Sequence, residues 1–327
     1  MQRQIDVLFV AAFNAPFIQD DMDIVEKHFS VKRLIGHGVG ACLKIVFSLF
    51  KADIVFCWFA SVYAGLAVAA GRAFGVRSVI VVGGVDVAKE PELAYGIWLS
   101  PWRAKIVRYA LRHADRVLVV DPSLQIEAVR LAEYGGENII YVPTGYDPEK
   151  WKPTGVKVPV VLTVAIVRDE TRIKVKGIDL LLEAAAKLPA TRFVIVGVTP
   201  EIAAKLCAPE NVSLHPFLER EKLLPFYQHA KVYCQPSRRE GLPNTLCEAM
   251  LCGCIPVASN VGGNPTAVGD SGLLFSPGSV EDLVEAIQDA LMMDEKAALR
   301  ARARIVALFP RQKREAELFR ILEGLVG

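Results

Sequence analysis

Two carboxylates, Glu240 and Glu248, stand on either side of a Gly/Pro elbow in the stretch SRREGLPNTLCEAMLCGCIPVASNVGG, residues 237–263. An apolar run, KVYCQ, leads into it and reads as a strand ending near Cys234. Gly241, Leu242 and Pro243 make the turn, and the spacing predicts a helix from Asn244 to Cys252 with Asn244 or Thr245 as its cap. The first N–H groups of a helix have no partner within it, and with the helix dipole they favour a phosphate or diphosphate. A carboxylate that accepts two hydroxyl hydrogen bonds can hold a ribose or hexose diol. One acid would then grip a nucleoside and the other a sugar, with the diphosphate between them. Gly262 and Gly263 follow the strand IPVAS, where missing side chains let backbone amides approach such a ligand; a plain turn is the simpler alternative.

A departing diphosphate gathers negative charge, so fixed cations should face it. The candidates lie in RDETRIKVK, between the strand VLTVAIV and the helix GIDLLLEA. Arg168, Arg172, Lys174 and Lys176 all lie there, and Arg168 and Lys174 read equally well as solvated charges of a loop. In the first half, VVGGVDVAKEPE ends a strand with two glycines and Asp86, a residue placed either to deprotonate an acceptor hydroxyl or to cap the following turn. Asn14, Asp20 and Asp21 follow the first strand, and the last two read best as N-caps. No DxD-like acid cluster stands at a strand end, so neither a metal nor a cofactor is expected.

The elements that must position these residues alternate strand and helix along the whole chain, which argues for an α/β fold with parallel sheets. Strands are predicted near residues 4–11, 29–35, 53–58, 76–82, 115–120 and 138–142, and again near 159–166, 191–197, 211–216, 231–235, 254–258 and 272–275. A turn-rich segment at 143–159 carries four prolines and divides the chain into domains 1–150 and 151–308, with a final helix over 309–327. A length of 327 residues with 52% hydrophobic residues suits two cores. The uncharged run Ile54 to Gly71 reads as a buried strand plus a small-residue helix rather than a membrane span. Seven cysteines without metal spacing are expected to be reduced core residues of a cytoplasmic protein. A net charge of +2 gives no pull toward nucleic acid. No cleavable signal is expected ahead of the first strand, and the NVS at Asn211 is then a chance sequon. The segment 95–113 mixes Trp98, Trp102 and Tyr109 with four arginines and lysines; an ordinary amphipathic helix is the preferred reading, and peripheral contact with anionic lipid the alternative.

The acid pair with its EAM-x-CG-x-IPV-A-S continuation and Gly262-Gly263 resembles the donor-site signature of the retaining glycosyltransferases of family four. The likeness continues through KGIDLLLEAAAKLP, FVIVG and VPTGYDPEKW in the family's order, closely in the second half of the chain and loosely in the first. It implies a GT-B fold: two facing Rossmann-like domains, with a last helix crossing back to the N-terminal one. It also implies metal-independent transfer, with retention, of a hexose-type sugar from a nucleoside-diphosphate sugar to a glycan or lipid-linked acceptor hydroxyl. On this basis Glu240 and Lys176 are catalytic candidates; Arg172, one helical turn ahead of Lys176, and Asp86 join them as the residues that stand in where the family's Arg and His are missing. Glu248, Gly241, Leu242, Pro243, Asn244, Thr245, Gly262 and Gly263 are the donor-binding ones. The chain departs from the family where Ala165-Ile166 replace Gly-Arg, where Thr266 replaces Glu, where the loop at 81–92 lacks His, and where no Gly-Gly loop follows the first strand. Those departures give weight to a non-catalytic nucleotide-sugar-binding protein, and a sugar-nucleotide epimerase is a further alternative.

Overall fold

Runs of β-branched and aliphatic residues build two six-stranded parallel sheets in the computed structural model, which describes residues 4–326. The first sheet comprises β1 (Asp6–Ala11), β2 (Ser30–Ile35), β3 (Ile54–Trp58), β4 (Arg77–Val82), β5 (Arg116–Val119) and β6 (Ile139–Tyr141). The second comprises β7 (Val158–Val167), β8 (Arg192–Val198), β9 (Val212–His215), β10 (Ala230–Gln235), β11 (Ile255–Ser259) and β12 (Leu273–Phe275). Their orders are β2-β1-β3-β4-β5-β6 and β12-β11-β10-β7-β8-β9. Each predicted strand is present, with its ends moved by a residue or two. Central strands such as β3 and β11 are buried at every position, because helices cover both faces of a parallel sheet.

The order of the first sheet reverses between β1 and β3, and that of the second between β7 and β10. Open parallel sheets bind ligands outside the carboxyl ends of their strands at such reversals. The chain divides into two compact units, one running to Gly145 and resuming at Arg311, the other Tyr146–Pro310. Tyr146, the first residue of the second unit, donates its N–H to the Phe309 carbonyl at 2.9 Å and bridges to Pro310.

The uncharged run after Asp53 becomes β3 and the helix Val62–Phe74, and among the described residues no helix is long and apolar enough to cross a membrane. Three expectations are corrected. Asp21 is not an N-cap: it lies buried inside the helix Pro16–Glu26, where Pro16 opens the first turn after Ala15. Its carboxylate takes a two-pronged ion pair from Arg314 at 2.5 Å and the Trp58 indole N–H at 2.9 Å, which ties the last helix, Arg311–Val326, to β3. The charged stretch before Lys176 is not a loop but the helix Glu170–Val175, capped by the Asp169 side chain. Of the cysteines, Cys207 is exposed and Cys42 half-buried; the other five are buried, and all seven are free thiols.

Candidate functional site

The reversal between β7 and β10 is where the sequence-predicted donor residues gather. Lys176 ends the helix that follows β7, and Glu240 lies in the turn that follows β10. They form an ion pair of 2.5 Å. Both are largely enclosed, the Lys176 side chain being 21% and the Glu240 side chain 9% exposed, so the pair is only partly screened by water. The same Glu240 oxygen also accepts from the Gln235 amide at 2.8 Å and the Ser237 hydroxyl at 2.7 Å. Gln235 and Ser237 were not singled out by sequence; their place at the mouth of β10, within five residues of Glu240, is the signal that could have found them.

Glycines bring the three segments of this site into backbone contact. A side chain on Gly177 would put its Cβ 1.9 Å from the Pro236 carbonyl oxygen, and one on Gly262 would reach within 2.2 Å of the Glu240 carbonyl oxygen. Both glycines have positive φ, 64° and 52°, which L side chains rarely adopt. Gly263 N–H bonds the Gly241 carbonyl at 3.0 Å, and Arg238 N–H bonds the Val175 carbonyl at 2.9 Å. The turns after β7, β10 and β11 are thereby locked around one point. Arg172 sits a turn before Lys176 on the same helix, its N–H bonded to the Asp169 cap at 2.8 Å.

The helix beyond the elbow runs Asn244–Leu251, and its N-cap is Pro243, without a side-chain cap bond. That replaces the expected cap at Asn244 or Thr245: Asn244 is the first helical residue, and its side-chain oxygen accepts from the Tyr146 hydroxyl at 2.7 Å. Gly241, Leu242 and Pro243, which make the turn, are buried.

Glu248 departs from the open carboxylate the sequence suggests. It is 4% exposed and accepts from Arg220 Nε at 2.8 Å and from a second Arg220 nitrogen at 2.7 Å. The Tyr227 hydroxyl lies 3.3 Å from its other oxygen. Arg220 in turn lies over the Trp151 ring, 5.2 Å from its centroid, and Tyr227 meets that ring edge-on. Burial, and then the neighbouring Glu248, push the Tyr227 phenol well above its ordinary pKa, so it stays a donor. Buried Tyr233 stands between the two acids: its ring is 6.0 Å from that of Tyr227, and its oxygen is 3.2 Å from the Gln235 side-chain oxygen. Arg220 and Trp151 escaped the sequence reading because they lie 28 and 97 residues from Glu248, with no shared motif.

In the first unit, Asp86 is 1% exposed. Its carboxylate accepts from the N–H groups of Ala60 at 2.9 Å, Gly84 at 2.7 Å and Gly83 at 3.2 Å. Burial raises its pKa from 3.8 to about 6, against the opposing pull of those bonds. An acceptor base needs a carboxylate facing its substrate; this one faces backbone amides, so the geometry corrects the catalytic expectation to tying together the turns that follow β3 and β4. Four aromatic rings gather beside it, Phe13 on Phe59 at 5.5 Å and Phe17 on Trp58 at 4.9 Å, at the reversal between β1 and β3. The segment 95–113 forms the helix Pro101–His113 preceded by a 3-10 turn at Ile97–Leu99. Its Arg108 and Arg112 bond the carbonyls of Leu131, Ala132 and Glu133. Those two cations are committed to the fold.

Among the described residues, no group of three or more His, Cys, Asp or Glu side chains is arranged to hold a metal ion.

Residues 1–150 match the family described as Glycosyltransferase Family 4, and residues 165–305 match Glycosyl transferases group 1. Two parallel sheets of this order are those of the GT-B fold. The chain belongs to the family-four glycosyltransferases. It is 35% identical over 147 residues to a D-inositol 3-phosphate glycosyltransferase of Mycolicibacterium smegmatis, a match covering 41% of this chain and 34% of that one. It is 26% identical over 266 residues to an MMP alpha-(1->4)-mannosyltransferase of Mycolicibacterium hassiacum, covering 73% of this chain and 63% of that one. The matched stretch thus spans about a third to two thirds of these relatives' length. In fold it is similar to Anabaena HepE in complex with UDP and glucose, with a TM-score of 0.81 at 16% identity, covering 98% of this chain and all of that one. Sucrose-phosphate synthase from Thermosynechococcus elongatus gives 0.79 at 18% identity, over 99% of each chain.

Proposed function

We propose that this protein transfers a hexose-type sugar from a nucleoside-diphosphate sugar to an acceptor hydroxyl. The observation that carries the reading is the enclosed Lys176–Glu240 pair at the β7/β10 reversal, beside the helix start at Asn244 and the glycine turn at 262–263. In this reading the Lys176 ammonium and the first N–H groups of the helix hold the diphosphate and take up its charge as it leaves. Glu240 accepts a sugar hydroxyl while Lys176, Gln235 and Ser237 hold its carboxylate in place. Arg172, on the same helix as Lys176, adds cationic charge for the same group.

Glu248 takes the ribose side. Because Arg220 already occupies one of its oxygens, a ribose diol must share that carboxylate with the guanidinium, and this makes Arg220 and Trp151 part of the donor site. No step calls for an enzyme nucleophile, since departure and attack on one face of the sugar give retention. Transfer without a metal ion is part of this reading. The HepE complex with UDP and glucose, on the same fold, makes UDP the first nucleotide to try. The acceptor is a glycan or lipid-linked hydroxyl.

The test is nucleoside diphosphate release from UDP-, GDP- and ADP-sugars by the native protein and by Glu240→Gln. Release by the native protein, reduced about 100-fold or more in the variant, is expected. Donor binding without release by either protein would establish the non-catalytic alternative instead.

A further inference from the structure

The helix Val39–Leu49 buries Ala41, Ile45, Ser48 and Leu49 against the helix Val62–Phe74 and the sheet, and leaves a second apolar face uncovered. Val39 is 78%, Leu43 57%, Phe47 70% and, just past the helix end, Phe50 64% exposed. These positions recur at intervals of three and four, so they form one stripe rather than scattered contacts. Phe50 extends it through a tilted ring contact with the exposed Phe74, their centroids 4.4 Å apart. Lys44 and Lys51 stand exposed along its edge. A cavity of about 530 Å³ opens beside Phe50 and Phe74, lined also by Lys51, Arg77 and Asp53.

Charge decides what fits this face. From Lys27 to Val85 the chain carries seven lysines and arginines and a single acid, Asp53, although the whole protein has 38 basic and 36 acidic residues. Arg33 and Arg77 are paired with Glu26 and Asp115, and Lys27 with Glu315; the helix itself carries no acid. A second copy of the chain docking this stripe on its twin would set like charges against each other. An anionic bilayer surface complements both features, with large apolar side chains to enter the headgroup boundary and a cationic rim to hold it there.

We propose that the Val39–Leu49 helix with Phe50 and Phe74 is a monotopic docking surface for membranes containing anionic phospholipid, and that the neighbouring cavity receives a lipid headgroup. This moves membrane contact away from the helix Pro101–His113. The proposal is independent of the donor reading, though it suits a lipid-linked acceptor.

The experiment is cosedimentation of the full chain with vesicles of phosphatidylcholine, with and without phosphatidylglycerol. Binding is expected to the anionic vesicles, to weaken as salt rises, and to fall about tenfold or more in Leu43→Ser/Phe47→Ser. Lys44→Glu/Lys51→Glu, which leaves the apolar stripe intact, should lose binding to a similar degree. Trp102→Ser, on the helix Pro101–His113, should bind as the native protein does. Glu248→Gln should keep vesicle binding whatever it does to donor binding, so the two readings fail separately. No cosedimentation of the native protein at low salt overturns the proposal. So does vesicle binding unchanged in the two double variants, or a native dimer that becomes monomeric in Leu43→Ser/Phe47→Ser while vesicle binding persists.

Discussion

Arg220→Ala would leave the Glu248 carboxylate buried without its cation, and an uncompensated buried charge costs about 3–5 kcal/mol. Chemical denaturation should show a loss of that order, larger than for a surface arginine such as Arg320, whose side chain is 65% exposed. Asp86 makes the opposite kind of prediction, because its folded pKa is raised. The native state holds the proton up to about pH 6, whereas the unfolded chain releases it near 3.8. The stabilisation is therefore fully present below 3.8 and is lost as pH rises through about 6. The unfolding free energy of the native protein relative to Asp86→Asn should fall by roughly 2–3 kcal/mol across that range. At this scale the sequence singled out Glu240 and Glu248 by their spacing about one elbow, and Lys176 by its place ahead of the next helix. It could not locate Arg220, Trp151 or Arg314, whose partners are brought to them by tertiary packing alone.

Apolar runs made the strands legible, since a parallel sheet buried on both faces needs near-continuous hydrophobic strands, and β3 and β7 are such strands. Short helices were less legible. Glu170–Val175 is six residues with one buried side chain, too short for an amphipathic period to show against its charges. The glycine turns join the two kinds of information: their positions are visible in sequence, but the reason for them is the close approach of a neighbouring backbone. Gly262→Ala would force a Cβ to within 2.2 Å of the Glu240 carbonyl at a positive φ. The elbow must then shift. We expect a stability cost of about 1–3 kcal/mol together with loss of donor binding, read by calorimetric titration of UDP-sugar. Unchanged donor affinity in a folded Gly262→Ala protein would show that the 262–263 turn does not shape the site.

At the scale of the molecule, the order of each sheet selects where chemistry sits. Of the carboxyl ends available in the second unit, those at the β7/β10 reversal carry the lysine and Glu240 of the proposed donor site. The last helix returns to the first unit through the buried Asp21–Arg314 pair, a connection whose existence the family resemblance implied and whose chemistry only the coordinates supplied. Everything proposed about transfer depends on that second-unit reversal binding a nucleoside-diphosphate sugar. A thermal-shift titration against UDP-, GDP- and ADP-sugars measures this directly, since a ligand at a hundred times its Kd stabilises the folded state by about 2.7 kcal/mol. The account predicts a rise in Tm with at least one of these donors, abolished in Glu248→Gln; a flat response of the native protein to all three would contradict it.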